Sequence, residues 1–142
     1  MPDVEPSRLV LLASALARLG EALERPEDPI VRDACIQRFE FTFEMAWRAV
    51  QDHAHGQGLE CVSPRQCFRV AFRLGLIDRD SRWLGMVEDR NRTSHLYDEE
   101  SARKVYRKLS DYLRLLQGLL ARLEEAARRT AAEELPEDPG DG

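Results

Sequence analysis

The chain has 142 residues, 43% of them apolar, 33% charged and only 7% aromatic, with a formal net charge of −5 at neutral pH. That length closes one hydrophobic core without staples, and the composition suits amphipathic helices better than a sandwich of strands. It excludes a membrane-spanning chain, because no apolar run approaches the ~20 residues needed, and a protein that coats nucleic acid indiscriminately, because that affinity comes mostly from neutralising phosphates.

Ser7 is placed to cap a first helix in which Leu9, Leu12, Ala13, Leu16, Leu19 and Leu23 recur at spacings of three and four. Pro26 and Pro29 are expected to stop it, since proline lacks the N–H a helix interior needs. A second helix is predicted from about Ile30 to about His55, with Ile36, Phe39, Phe43, Trp47 and Val50 as its apolar stripe and Gly56 and Gly58 ending it. Aromatic residues at this spacing place it at the centre of the core. Glu40 and Glu44 lie on another face, either as a solvated edge or as groups that orient basic residues. Ser63-Pro64 starts a third, short helix with Cys67, Val70, Ala71 and Leu74 on its apolar face and Gly75 at its end. Asp80 or Ser81 caps a fourth, running through Trp83, Leu84, Met86 and Val87. Asp98 caps a fifth, in which Ala102, Val105, Tyr106, Leu109, Leu113, Leu116, Leu120 and Leu123 keep period to about Arg129.

No stretch reads as a strand, so the expected fold is all-α: an antiparallel up-and-down four-helix bundle with an additional short helix. One domain over residues 1–130 is predicted, followed at 131–142 by an acidic tail with almost nothing to bury and therefore disordered. Met1-Pro2-Asp3-Val4-Glu5 lacks the basic start of a secretory signal, so a cytoplasmic protein is expected. In that compartment Cys35, Cys61 and Cys67, none in a C-x-x-C arrangement, are expected to be reduced, with Cys35 and Cys67 as buried thiols and no zinc site.

The stretch from Glu88 to Glu100 is the only one that gathers arginine, amide, hydroxyls, histidine and tyrosine with no large apolar residue before Leu96. On an ideal helix His95 sits about 140° round from Arg90, so the helix must end or loosen near Ser94 for the two to serve one group. A guanidinium matches phosphate oxygens and stays charged, while an imidazole titrates near neutrality and can move protons at a ribose hydroxyl or a leaving oxygen. Together they suffice for metal-free RNA cleavage. A two-fold dimer would supply the pair twice. The bland alternative is that Arg90 pairs with Glu44 or Asp98 and His95 merely caps a helix end.

Arg90-Asn91-Arg92-Thr93-Ser94-His95-Leu96-Tyr97 resembles the R-N-x-x-x-H-x-Y motif of the HEPN superfamily, in its HepT-like branch, also described as the nucleotidyltransferase substrate-binding protein family. Gln37 to Trp47, and Ser63-Pro64-Arg65-Gln66 continuing to Leu76-Ile77, also resemble that branch, and the likeness runs from about Leu9 to Leu123. It implies an up-and-down bundle that forms a homodimer beside a minimal nucleotidyltransferase, in the manner of a type VII toxin–antitoxin pair. The toxin would be a metal-independent endoribonuclease, without a cofactor, acting on RNA with Arg90 and His95 as catalytic residues and Asn91 as a positioning or RNA-binding residue. The MntA-like antitoxin would silence it by transferring AMP to Tyr97. The alternative carried by the same resemblance is a non-catalytic, substrate-binding subunit of a two-component nucleotidyltransferase. This chain has no G-S-x-x-x-G-x-A with paired aspartates, and so no nucleotidyltransferase centre of its own.

Overall fold

The computed structural model describes residues 7–96 and 98–134. Among these residues six α-helices follow one another: α1 (Arg8–Leu23), α2 (Pro29–Gly56), α3 (Pro64–Arg73), α4 (Arg82–Arg92), α5 (Glu99–Tyr106) and α6 (Leu109–Glu133), with a 3₁₀ turn at Thr93–His95. There is no strand among the described residues, and no helix is long and apolar enough to cross a membrane.

Caps explain most of the starts. The side chains of Ser7, Asp28, Ser63 and Asp98 accept hydrogen bonds from the backbone N–H groups of Val10, Val31, Gln66 and Ser101, satisfying donors that a first turn leaves free. Asp28 shows that Pro29 does not stop α1; it opens α2 as its first residue, where its missing N–H costs nothing. The start of α4 uses Asp80, whose carboxylate accepts from the Arg82 N–H at 2.9 Å, while the Ser81 side chain makes no cap. Gly75, just past α3, adopts the left-handed conformation with φ +75°, which is open to glycine at little cost.

Cross-helix contacts fix the directions. Arg8 meets Asp52, the Thr42 hydroxyl donates to the Ala15 carbonyl, and Arg38 donates to that of Arg18, so α1 and α2 run antiparallel. Gln51 reaches the Cys61 carbonyl and Phe43 packs on Phe68, which turns α3 back along α2. Tyr112 meets Asp89 and Arg122 meets Asp78, so α4 opposes α6. Arg32 pairs with Glu99 and Phe39 stacks on Tyr112, so α5 and α6 run alongside α2 in its own direction. The result is an up-and-down bundle of four legs in which α3 with α4 make the third and α5 with α6 the fourth.

The core centres on α2. Phe39, Phe43, Leu12, Leu19, Met86, Leu109, Leu116 and Leu119 are fully buried, and each Phe or Leu contributes ~2–3 kcal/mol by leaving water. Tyr112, Phe39, Phe43, Phe68 and Trp83 form an unbroken run of ring contacts from α6 through α2 to α3 and α4.

Several further expectations are corrected. The predicted fifth helix is two: at Arg107 and Lys108 the chain tightens, with the Lys108 N–H bonding to the Val105 carbonyl, and α6 starts anew at Leu109. Within α6, Leu109, Leu116 and Leu123 are buried as expected, but Tyr112 and Leu119 are buried where Leu113 and Leu120 were expected to be. Leu84, placed on the apolar face of the fourth helix by its periodicity, is instead 45% exposed. The cysteines are not all reduced, because Cys61 and Cys67 form a disulfide. The chain turns sharply at Ser63 into α3, bringing their Cα atoms to 5.1 Å, within bridging range, although six positions separate them in sequence. Cys35 is a buried free thiol, its pKa pushed up by burial. α6 extends to Glu133, a little past the expected domain end at 130, and the rest of the predicted tail lies outside the described residues.

Candidate functional site

The last turn of α4 carries Arg90 and Asn91, and the 3₁₀ turn after it ends at His95. The α-helix thus stops at Arg92 and tightens before the histidine. Thr93 marks the change: its hydroxyl donates to the Arg90 carbonyl at 2.7 Å and accepts from Arg90 Nη1 at 3.2 Å. The same Nη1 lies 3.5 Å from Glu40 Oε2 on α2. Arg90 and Glu40 are each about one-third exposed, so this pair holds the guanidinium at the rim of the bundle rather than in free solution. Among the described residues Arg90 Nε, like Arg32 Nε, is buried and has no hydrogen-bond partner, although a buried guanidinium donor ordinarily finds an acceptor.

Glu44, one turn along α2, serves a different cluster. It accepts from the Trp47 indole at 3.0 Å and pairs with Arg48 at 3.5 Å, and the Arg48 guanidinium lies 4.0 Å from the centre of the Trp47 ring. Asp98 caps α5, and the hydrogen bond from the Ser101 N–H holds its carboxyl below the usual range. Both partners that the bland reading offered to Arg90 are therefore engaged elsewhere, and the carboxylate beside it is Glu40. Asn91 and His95 are exposed. Tyr97, the expected modification target, lies outside the described residues. Among the described residues no group of three or more His, Cys, Asp or Glu side chains could hold a metal ion.

Sequence reasoning missed Asp89, which is only 2% exposed. It accepts a short hydrogen bond from the Tyr112 hydroxyl and another from Lys108 Nζ at 3.1 Å, with Arg92 3.7 Å away. Burial, and then this hydrogen bond, push the Tyr112 phenol pKa far up, so it stays a donor. The cluster ties the turn carrying Arg90 to α6 at the point where α5 gives way to it. A signal existed: Asp89 is three residues after buried Met86, which sets a carboxylate in register with the apolar face of α4.

Comparisons with known proteins agree with this architecture. A family model described as "nucleotidyltransferase substrate binding protein like" matches residues 7–125. A Haemophilus influenzae protein named "probable ribonuclease HepT" is 34% identical over 92 residues, which are 61% of this chain and 62% of that relative, so the match spans somewhat less than two thirds of the relative's length. A crystal structure from Thermus thermophilus is similar with TM-score 0.73 and 44% identity, covering 79% of this chain and 98% of that one. A Haemophilus influenzae structure described as the fold of a substrate binding domain of a nucleotidyltransferase is similar with TM-score 0.72 and 26% identity, covering 82% and 98%. With its helical bundle and with the family model covering most of its length, the chain belongs to the HepT-like family of nucleotidyltransferase substrate-binding-like proteins.

Proposed function

We propose that this protein is a metal-independent endoribonuclease, the toxin of a HepT-like pair, with Arg90 and His95 as its catalytic residues. The observation that supports the reading is the held guanidinium: Glu40 and Thr93 fix Arg90, about one-third exposed, at the end of the helix that leads to exposed Asn91 and His95. A fork so held suits a phosphate whose charge grows during reaction, because oriented donors need no reorganisation at that moment. His95 supplies the proton transfer. The ribose 2′-hydroxyl loses its proton and attacks the adjacent phosphorus, and the bond to the 5′-oxygen breaks as that oxygen takes up a proton, leaving a 2′,3′-cyclic phosphate. Asn91, next to Arg90 and exposed, positions the RNA. Two copies related by a two-fold axis bring two such pairs together.

The partner is a minimal nucleotidyltransferase that acts as antitoxin. The Tyr97 phenol oxygen attacks the α-phosphorus of ATP, releasing pyrophosphate and leaving AMP two residues from His95. A bulky anion there would occupy the space of the RNA phosphate.

Purified protein is expected to cleave RNA in excess EDTA, and His95→Ala is expected to lose that cleavage with an unchanged melting temperature. Equal cleavage by the variant would sink the assignment. A second reading, a non-catalytic subunit that presents substrate to a nucleotidyltransferase, is favoured by the family description and by the similar Haemophilus structure. It predicts no cleavage by the isolated chain and nucleotide affinity that appears only with the partner, which titration calorimetry with and without it would separate.

A further inference from the structure

A groove of about 400 Å³ runs between α3 and α4, away from Glu40. Its rim carries Arg65, Arg69, Arg73 and Arg79, all exposed, and its floor carries the buried rings of Phe68 and Trp83. Arg65, Arg69 and Arg73 recur every four residues, which sets them ~6 Å apart along one side of α3. Two carboxylates also line the groove, but each is held by an arginine outside it: Asp78 by Arg122 at 3.0 Å and Asp80 by Arg82 at 2.8 Å. Among the described residues none of the four lining arginines has an ion pair. In a protein of net charge −5, the described carboxylates therefore leave this row unpaired.

Apolar surface lies beside the charge. Phe72 is 46% exposed and Leu84 45%, both large side chains left open to water at the groove edge. Unpaired arginine forks suit phosphates, and an exposed ring suits the face of a base, whichever base it is. The combination favours a single strand over a duplex, whose bases are already stacked on one another. A second copy of this chain fits badly, because a symmetric contact would set arginine against arginine. The groove also leads to the candidate site: Leu84 and Asn91 are seven residues apart on α4, thus on nearly the same side and ~10 Å apart along the axis.

We propose that the α3–α4 groove is the track that holds single-stranded RNA, with Arg65, Arg69, Arg73 and Arg79 on successive phosphates, Phe72 stacked on a base, and the strand leaving past Leu84 toward Asn91 and Arg90. The proposal takes the identity of the polyanion from the ribonuclease reading, while the groove's binding role is tested independently of cleavage.

The measurement is fluorescence anisotropy of a labelled, uridine-only RNA with His95→Ala protein in EDTA, so that binding is read without cleavage. Arg69→Gln with Arg73→Gln is expected to weaken binding about tenfold or more. It should also flatten the slope of log K against log salt by ~1.4, from ~0.7 per lost phosphate contact on a single strand. Phe72→Ala should weaken binding about tenfold while leaving the slope unchanged, since stacking releases no counterions. Arg25→Gln with Arg128→Gln, removing the same charge elsewhere, should change affinity by less than about twofold if the groove acts locally. Equal losses from the two double variants, or no loss from the groove pair, would overturn the proposal. So would a groove pair that binds RNA normally but no longer co-purifies with a co-expressed nucleotidyltransferase, which would make the groove a protein interface. Tight binding with no cleavage by the unsubstituted protein would end the ribonuclease reading and leave the track standing.

Discussion

A carboxylate that is 2% exposed must find its hydrogen bonds inside the protein, and Asp89 finds its chief ones on α6 and the turn before it. Its neighbour Arg90 is the residue on which the proposed chemistry turns, so what holds Asp89 also holds the guanidinium's helix. Tyr112→Phe deletes one hydroxyl and leaves a buried acceptor short of its donor, a change that costs ~1–3 kcal/mol. Urea unfolding of this variant should show stability lower by about 2 kcal/mol with an unchanged m-value; a loss within error would mean that Lys108 alone satisfies the carboxylate. At this scale the sequence was least informative. The polar run from Arg90 to His95 stood out by composition, yet its actual partners, Glu40 and Thr93, could not be separated from Glu44 and Asp98 by spacing, because spacing along one helix says nothing of which side chain arrives from another. Cys61 and Cys67 misled for the same reason: their bridge follows from a turn at Ser63, not from a recognisable spacing.

Helices, by contrast, were written plainly in periodicity and caps. Ser7, Ser63 and Asp98 are caps in the structure, and α2 differs from its expected span by a residue at each end. What periodicity hid was the division of the last leg, because the apolar repeat passes through Arg107 and Lys108 almost undisturbed while the backbone tightens there. Lys108, at that tightened turn, and Tyr112, just inside α6, both meet Asp89, so the element-level surprise and the residue-level one lie at the same place. Within α6, Gly118 is exposed in mid-helix, and a Cβ added there would meet no atom within 4 Å. Gly118→Ala should therefore raise stability by ~0.5–1 kcal/mol, because alanine loses less backbone freedom on entering a helix. Calorimetry should find a melting temperature higher by about 2–4 °C, and a lower one would show that this face is covered by something that needs the glycine.

At the scale of the molecule the bundle was legible from composition and period: amphipathic helices joined by short links leave few other solutions. The proposed two-fold dimer makes a prediction in solution. Light scattering of purified protein is expected to give about twice the 16.3 kDa chain mass. A strictly monomeric particle would leave Arg90 and His95 with no second copy and the proposed site with half its residues. The order of the helices has one more consequence. α6 packs on both α1 and α2, so the hairpin made by the first two legs emerges from the ribosome with Leu12, Leu16, Leu19 and Phe39 still waiting for residues beyond Leu109. At 5–20 residues per second that interval is on the order of ten seconds, during which the nascent chain presents an open apolar flank to whatever chaperone stands at the exit.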